Sequence, residues 1–249
     1  NPLEKEALMA QKTLAALAVA VAATGGVLAP AVSQAQVAYN VGVVSDYRYR
    51  GISQTRLKPA LQGGVDYTAG GLYVGAWAST IKWIDDVGGD AKVEIDLYGG
   101  YKGEITKGLS YDVGVLTYVY PSNKLDPSAN TTEIYGALIY GPATLKYSRS
   151  VTNLFGFDDS KGSGYIDLAA TFEITDGWMI TPHIGRQTVK NLGEASYTDA
   201  ALTVFKDFSG WVVSAAAVDA RTGVYFSPPD KGNKDLGKRS LVLGVKYNF

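Results

Sequence analysis

The chain has 249 residues, and its 23 Lys and Arg nearly balance 24 Asp and Glu, so that the net charge is -1. This balance argues against a protein that binds nucleic acid or an anionic membrane surface, because either would need an excess of basic residues. Cysteine is absent, which excludes disulfides and thiolate metal sites, and 29 Gly with only 19% charged residues is an unusual composition for a soluble domain.

The amino-terminal segment has the order of a secretory signal peptide. Lys12 precedes an apolar run from Thr13 to Leu28, and small residues end the segment at Ala35. The run of about 16 residues is shorter than the roughly 20 that a membrane-spanning helix needs. We therefore expect residues 1–35, the leader with its upstream residues, to be removed, and residues 36–249 to form one domain.

The remainder of the chain is a series of strand-like segments. Runs of about ten residues alternate apolar and polar side chains, near the 9 to 11 residues of a tilted membrane strand. We predict twelve strands, at approximately residues 37–48, 59–69, 71–81, 92–102, 109–120, 131–140, 143–151, 164–175, 178–188, 197–208, 210–220 and 239–249.

The connections between these strands alternate in length. Short turns carry Gly, Asp or Pro, at residues 69–71, 103–108, 141–142, 175–177 and 208–210. Longer polar segments lie between them, at residues 49–58, 82–91, 121–130, 152–163, 189–196 and 221–238. An even number of strands with this alternation is typical of bacterial outer-membrane barrels. The predicted fold is therefore an all-β, antiparallel transmembrane β-barrel of about 12 strands, with short periplasmic turns and longer extracellular loops.

Aromatic residues near the strand ends support this fold over a soluble β-sandwich, whose strands also alternate. Two belts at the lipid headgroups would have this appearance. The expected periplasmic belt comprises Tyr39, Tyr67, Tyr101, Tyr111, Tyr140, Trp178, Phe208, Trp211, Tyr247 and Phe249. The expected outer belt comprises Tyr47, Tyr49, Trp83, Tyr118, Tyr120 and Tyr197.

One residue fits its strand poorly. Pro182 lies within the ninth predicted strand, on the lipid-facing parity, and cannot donate a hydrogen bond to a neighbouring strand. We expect a β-bulge there, which would redirect Thr181 and His183.

Strand parity places an acidic excess inside the barrel. The predicted lumen-lining residues are Asp46, Arg48, Arg50, Asp66, Glu94, Asp96, Lys102, Asp112, Glu133, Lys146, Asp167, Glu173 and Lys246, with Asp199 on the same parity. Such a lining could form a narrow water-filled passage for cations or polar neutral solutes. It could equally form a salt-bridged filling, because side chains can fill much of a small barrel. The sequence leaves both interpretations open.

Arg48 and Arg50 share this inward parity at the outer mouth. They could form a basic constriction for anionic solutes. They could instead pair with Asp46 and neighbouring acids, an arrangement that the excess of inward carboxylates favours, since the guanidinium fork matches a carboxylate.

The segment Ser-Asp-Tyr-Arg-Tyr-Arg-Gly-Ile-Ser-Gln-Thr, residues 45–55, together with the closing Tyr-Asn-Phe249, resembles the TorF-like family of proteobacterial outer-membrane porins. That family has no catalytic residues to carry over. Gly244, Tyr247 and Phe249 also resemble the signal read by the barrel-assembly machinery, although Val242 stands where a polar residue is usual. The resemblance implies outer-membrane lipid, lipopolysaccharide and the secretion and assembly machinery as partners.

A catalytic triad in this chain would need its single histidine. His183 would have to act with a strand serine, Ser148 or Ser214, and an acid such as Asp167, and no spacing supports that set. We therefore expect no enzyme activity, no cofactor and no metal. The predicted function is passive diffusion of small polar solutes through the outer membrane, with a preference for cations where the acidic excess lines an open passage. The alternative is a non-conducting structural or surface-recognition barrel that acts through loops such as residues 221–238.

Overall fold

The structure, a computed structural model, describes residues 35–249. The predicted signal peptide, apart from Ala35, lies outside the described residues. Within residues 35–249 no helix has the length and apolar character that a membrane crossing requires.

The described residues are almost entirely strands joined by turns and loops. One short helix, α1, covers Trp83–Asp86, and single 3-10 turns cover Gly193–Ala195 and Pro229–Lys231. The strands are β1 Gln36–Val44, β2 Arg48–Tyr49, β3 Ile52–Ser53, β4 Ala60–Ala69, β5 Leu72–Thr80, β6 Val93–Thr106, β7 Leu109–Val119, β8 Thr131–Tyr140, β9 Ala143–Ser150, β10 Gly164–Ala170, β11 Phe172–Thr175, β12 Trp178–Thr188, β13 Tyr197–Phe208, β14 Trp211–Arg221 and β15 Ser240–Asn248.

These strands close into a barrel. β1 pairs with β15 through registers such as Val43 with Val245, and β10 pairs with both β9 and β12, so that the sheet has no free edge. β10 and β11 together form one wall strand, and β2 and β3 stand apart as a small hairpin. The wall is therefore a closed, antiparallel, twelve-stranded barrel, as predicted. Closure of the sheet gives hydrogen-bond partners to the backbone N–H and C=O groups of the edge strands, which lipid could not provide.

The predicted alternation of connections is confirmed. Every short connection has two residues, as in Asp176-Gly177 and Ser209-Gly210. Both residues of these two turns have positive φ, 47° and 76° in the first and 57° and 97° in the second. This geometry matches the twist of the flanking strands. The longer loops all lie at the opposite end of the barrel.

The two faces of the wall differ as the sequence pattern requires. In β15, Leu241 is 66% exposed on the outer face and Val242 is 5% exposed on the inner face. The same alternation runs through β13 and β14, and outward positions are mostly apolar. An apolar outer band around a polar interior suits a hydrocarbon environment.

The predicted aromatic belts are only half right. Tyr39, Tyr140 and Trp211 point outward near the short turns and are exposed, as a periplasmic belt requires. The outer belt is wrong, because its tyrosines are buried inside the barrel: Tyr47, Tyr49, Tyr118, Tyr120 and Tyr197. A phenol can be buried where its hydroxyl finds an acceptor, and the inward carboxylates supply acceptors.

Pro182 is accommodated without the predicted bulge. The register from β12 to β13 continues unchanged through Pro182 and Leu202. On the other side the register places Pro182 opposite Ala170, the last residue of β10, and the wall strand is interrupted at the next residue, Thr171. The Oγ1 atoms of Thr171 and Thr181 bridge this gap at 2.9 Å. The break between β10 and β11 therefore takes the place of the bulge predicted at Pro182.

Inside the wall, tyrosine rings lie over glycines of adjacent strands. A Cβ built at Gly75 would lie 2.5 Å from the Tyr98 ring. The same juxtaposition joins Gly114 to the Tyr135 ring and Gly185 to the Tyr165 ring. Only a position without a side chain leaves room for a ring flat against the wall, so these glycines set where the inner tyrosines lie.

We therefore expect Gly75→Ala to lower the free energy of unfolding by about 1–3 kcal/mol, the usual cost of overpacking. The matched control is Gly136→Ala, since a Cβ at Gly136 would have its nearest neighbour at 4.0 Å. Denaturant titration of both variants in the same detergent measures the difference. Equal stability of the two variants would contradict the proposed ring packing.

Candidate functional site: the hairpin inside the barrel

The first predicted strand ends four residues early, and this correction creates the site. β1 stops at Val44, after which residues Ser45–Thr55, here the inward hairpin, turn into the barrel. β2 and β3 pair through Arg48 with Ser53 and Tyr49 with Ile52. The tip has φ of 46° at Arg50 and 80° at Gly51, which forms a tight turn. The sequence predicted a longer first strand because polar and aromatic residues continue to alternate through this segment.

The base of the inward hairpin is held by one buried carboxylate. Asp46 accepts hydrogen bonds from Arg48 Nε at 2.5 Å, from Ser53 Oγ at 2.5 Å and from Thr55 Oγ1 at 3.0 Å. Arg48 also donates to the backbone oxygen of Leu236 at 3.0 Å, which ties the hairpin to the last long loop. Each polar group here has a partner, which is what burial of a charge requires.

The tip of the inward hairpin reaches the far wall. Arg50 donates to both carboxylate oxygens of Glu133, at 3.0 and 2.7 Å, and Glu133 lies on β8, nearly opposite β1 in the strand order. It also donates to Gln187 Oε1 on β12 at 2.7 Å. Its guanidinium carbon lies 4.8 Å from the centre of the Tyr49 ring and 4.2 Å from that of Tyr165. Arg48 and Arg50 therefore pair with acids and form no free basic constriction.

Buried tyrosines complete this layer. Glu94 accepts hydrogen bonds from the Tyr47 hydroxyl at 2.5 Å and from the Tyr120 hydroxyl at 2.7 Å. The hydroxyls of Tyr49 and Tyr118 lie 2.6 Å apart. Glu94 and Glu133 are each 1% exposed. A side chain lining a water-filled passage would be accessible to water, so the lumen is filled at this level.

The half of the barrel near the short turns is more open. Asp66, Tyr73, Tyr98 and Lys102 are only partly buried there. Tyr98 donates to Asp66 at 2.5 Å, and Lys102 lies 3.8 Å from Asp112. Some charged groups below the inward hairpin are therefore partly accessible to solvent.

Three further predicted lumen residues lie inside without a close ion pair. Asp96 is buried, and its Oδ1 has no hydrogen-bond partner among the described residues. The same is true of Lys246 Nζ within residues 35–249. Lys146 Nζ lies 3.8 Å from the centre of the Tyr135 ring, where a cation–π contact stabilises it. The lumen thus keeps ionisable groups that form no ion pair with the described side chains.

Glu173 does not join the others. It is exposed at the short-turn rim, where its Oε1 accepts the backbone N–H of Gly177 at 2.9 Å. Its position at the end of the interrupted strand explains this difference, because β11 ends two residues later. Glu173 therefore stabilises a turn and does not belong to the filled layer.

The single histidine lies within a buried polar cluster. His183 Nε2 is 3.2 Å from Asp167 and 3.1 Å from the Tyr165 hydroxyl, and its Nδ1 is 3.7 Å from Asp199. Neither Ser148 nor Ser214 is among its hydrogen-bond partners in the described chain. Residues 35–249 also hold no group of His, Asp and Glu arranged for a metal ion.

The long loops interlock above the inward hairpin. Arg56 pairs with Asp86, and Lys231 Nζ lies 2.7 Å from Asp85 Oδ2, so that three loops are joined. The hydrogen bond from Lys231 holds the pKa of Asp85 below its usual value. A cavity of about 550 Å³ remains between the loops and the hairpin.

Strand parity placed Tyr98 on the inward face, but sequence reasoning missed the other inner tyrosines and Gln187. One signal for the tyrosines was available in the sequence. Some glycines lie two residues from an inward carboxylate and so on the same face, as Gly114 does with Asp112, and the Tyr135 ring covers Gly114. Gln187 carried no such signal: its Nε2 donates to the backbone oxygen of Gly164, and its Oε1 accepts from Arg50, which is distant in sequence.

Solved outer-membrane porins share this architecture at low sequence identity. The KdgM porin, solved in complex with disordered oligogalacturonate, superposes with a TM-score of 0.55 at 8% identity, covering 87% of this chain and 99% of KdgM. The NanC porin gives 0.54 at 13% identity, covering 85% and 99%. An outer-membrane channel from Pseudomonas putida F1 gives 0.50 at 10% identity, covering 89% and 96%. These likenesses concern the fold.

By sequence, no functionally curated protein matches the chain. The family described as "Bacterial protein of unknown function (Gcw_chp)" matches residues 28–249, which include all fifteen strands and the inward hairpin. The chain therefore belongs to the Gcw_chp family of bacterial proteins of unknown function.

Proposed function

We propose that the protein is a porin-like channel of the bacterial outer membrane, through which small polar solutes diffuse passively and cations pass more readily than anions. In the described conformation the inward hairpin occludes this channel. The proposed location and the proposed partners, lipid and lipopolysaccharide, rest on the apolar outer band and the periplasmic aromatic belt. The TorF-like resemblance and the assembly signal at Gly244, Tyr247 and Phe249 stay predictions.

One observation carries the proposal. The lumen is blocked by a loop segment that crosses it, whereas the wall below it keeps charged, partly exposed side chains such as Asp66 and Lys102. Apolar side chains would fill a purely structural interior at a lower cost in free energy, because burying an ionised group requires its desolvation. A charged lumen that is partly accessible to solvent is typical of a channel through which solutes pass.

The sign of the charge supports the preference for cations. Inward carboxylates outnumber inward basic groups, and Asp96 has no basic partner within hydrogen-bonding distance among the described residues. An acidic lumen raises the local concentration of cations. KdgM was solved with a polyanion, oligogalacturonate, and the acidic interior of this chain would repel such a solute.

Planar-bilayer recording of the refolded protein tests the proposal. We expect discrete conductance steps, each an opening in which the inward hairpin has left the lumen, and a reversal potential in a KCl gradient that indicates preference for K⁺. Asp66→Asn should weaken this preference, because Asp66 is partly exposed inside the barrel, below the inward hairpin. The matched control, Asp158→Asn, removes a carboxylate from an exposed outer loop and should leave the selectivity unchanged.

The second candidate is a non-conducting recognition barrel. The interlocked outer loops, joined by Lys231 with Asp85, favour it, because a fixed outer surface suits a binding partner. A bilayer that stays silent both with the correctly folded protein and with a folded variant in which a short Gly-Ser linker replaces residues 46–55 would support this candidate over the channel.

A further inference from the structure

The cavity above the inward hairpin is lined mostly by rings and aliphatic side chains. Its walls include Tyr49, Trp83, Tyr120, Phe155 and Tyr225. Its volume of about 550 Å³ lies within the roughly 300–1,000 Å³ typical of small-molecule sites. The cavity is therefore large enough for a ligand of one or two rings.

Phe155 is the centre of the aromatic cluster. Its ring centroid lies 5.6 Å from that of Tyr49, 5.2 Å from that of Tyr118 and 6.3 Å from that of Trp83. All three pairs meet at steep angles, so that ring faces and edges point in several directions. Of these rings, Phe155, Tyr49 and Trp83 line the cavity, and a wall rich in aromatic rings can attract organic cations.

The rim of the cavity is apolar and exposed. Val87, Val224 and Phe226 are 59%, 46% and 44% exposed and line the opening. They lie on the long loops, away from the strand surface that faces lipid. Exposed apolar side chains outside the membrane band mark a surface for binding.

The charge at the cavity has one sign. Its lining includes Asp86, Asp126 and Glu194, and no Lys or Arg is among the described residues that line it. Asp86 pairs with Arg56, whereas Asp126 and Glu194 form no ion pair with any described residue. Unpaired carboxylates beside aromatic rings repel anions and attract cations.

We infer that this cavity binds organic cations, namely compact ammonium compounds that carry apolar or aromatic groups. The ring faces contact the ammonium methyl groups, the apolar rim takes the hydrocarbon part, and Asp126 and Glu194 supply the countercharge. This site would be the entrance of the proposed channel, so the inference deepens the proposed function by naming a class of solute. Binding can be measured without any conductance, so the two proposals fail separately.

Calorimetric titration of the folded, detergent-solubilised protein tests the inference with three probes of similar shape. These are benzyltrimethylammonium, the neutral 2-methyl-1-phenylpropan-2-ol and the anion phenylacetate. We expect saturable 1:1 binding of the ammonium compound, at least roughly tenfold tighter than the alcohol, with no binding of phenylacetate. Equal affinity for the cation and the alcohol would overturn the inference, as would the absence of saturable binding.

Two sets of variants locate the site. Asp126→Asn combined with Glu194→Gln should weaken binding of benzyltrimethylammonium about fivefold and leave the alcohol unaffected. Phe155→Leu should weaken it by about threefold to tenfold through loss of a ring face. Asp158→Asn, an exposed carboxylate outside the cavity lining, is the matched control and should bind as the wild type does. If the control weakens binding as much as the double variant, the effect is one of overall charge and the assigned site is wrong.

Discussion

Replacing residues 46–55 with a short Gly-Ser linker should raise the single-channel conductance by roughly an order of magnitude, since a twelve-stranded barrel without a filling encloses an open lumen. The replacement removes the rings of Tyr47 and Tyr49 and the guanidinium of Arg50 from the filled layer. Glu94 and Glu133 would then face water. Planar-bilayer recording under identical salt conditions measures the change.

The matched control replaces residues 232–234 with the same linker, because this outer-loop segment does not line the lumen and leaves the pair of Lys231 with Asp85 in place. Its conductance should stay close to that of the wild type. Both variants must first show the heat-modifiable electrophoretic mobility of a folded barrel. A hairpin-free variant that is folded and conducts no more than the wild type would show that the hairpin does not occlude the passage.

Glu133→Gln should release the tip of the inward hairpin. Removing one partner of a buried ion pair costs about 3 kcal/mol or more, because the remaining Arg50 guanidinium keeps its burial and loses its countercharge. A cost of that size raises the population of the undocked hairpin roughly 100-fold. Arg50 would then become accessible, whereas it is buried in the docked state.

Limited trypsin digestion followed by mass spectrometry detects this change through a new amino terminus at Gly51. Cleavage after Arg50 should be slow in the wild type and roughly 100-fold faster in Glu133→Gln. The control is Glu173→Gln, whose carboxylate is exposed at the short-turn rim and should not affect the hairpin. Equal cleavage rates in wild type and Glu133→Gln would refute the role assigned to this pair.

Much of the wall followed from local pattern. The predicted segments 131–140, 178–188 and 197–208 coincide with β8, β12 and β13. Their period-two alternation is strict because one face must meet lipid and the other the interior. The bulge predicted at Pro182 was wrong, because the irregularity lies in the neighbouring wall strand, at Thr171. The sequence of the strand that contains Pro182 could not predict this.

The site was harder to predict than the wall. Parity correctly placed Asp46, Arg48 and Arg50 toward the interior, yet it extended β1 through them and gave no sign of a turn inward. The outer tyrosines were assigned to a membrane belt because an aromatic residue near a strand end suits either a headgroup or a buried carboxylate. Which of these applies depends on residues distant in sequence, as with Tyr120 and Glu94.

The amino-acid sequence alone determined the closed antiparallel wall, its strand number, its two faces and the acidic interior. All of these depend on alternation within a strand and on turn residues between neighbours. Only the tertiary structure decided that residues 45–55 fill the lumen, that Arg50 pairs with Glu133, and that the loops enclose an aromatic cavity. Those features join residues far apart along the chain, and the free energy that selects them arises from burial and pairing that exist only once the barrel has closed.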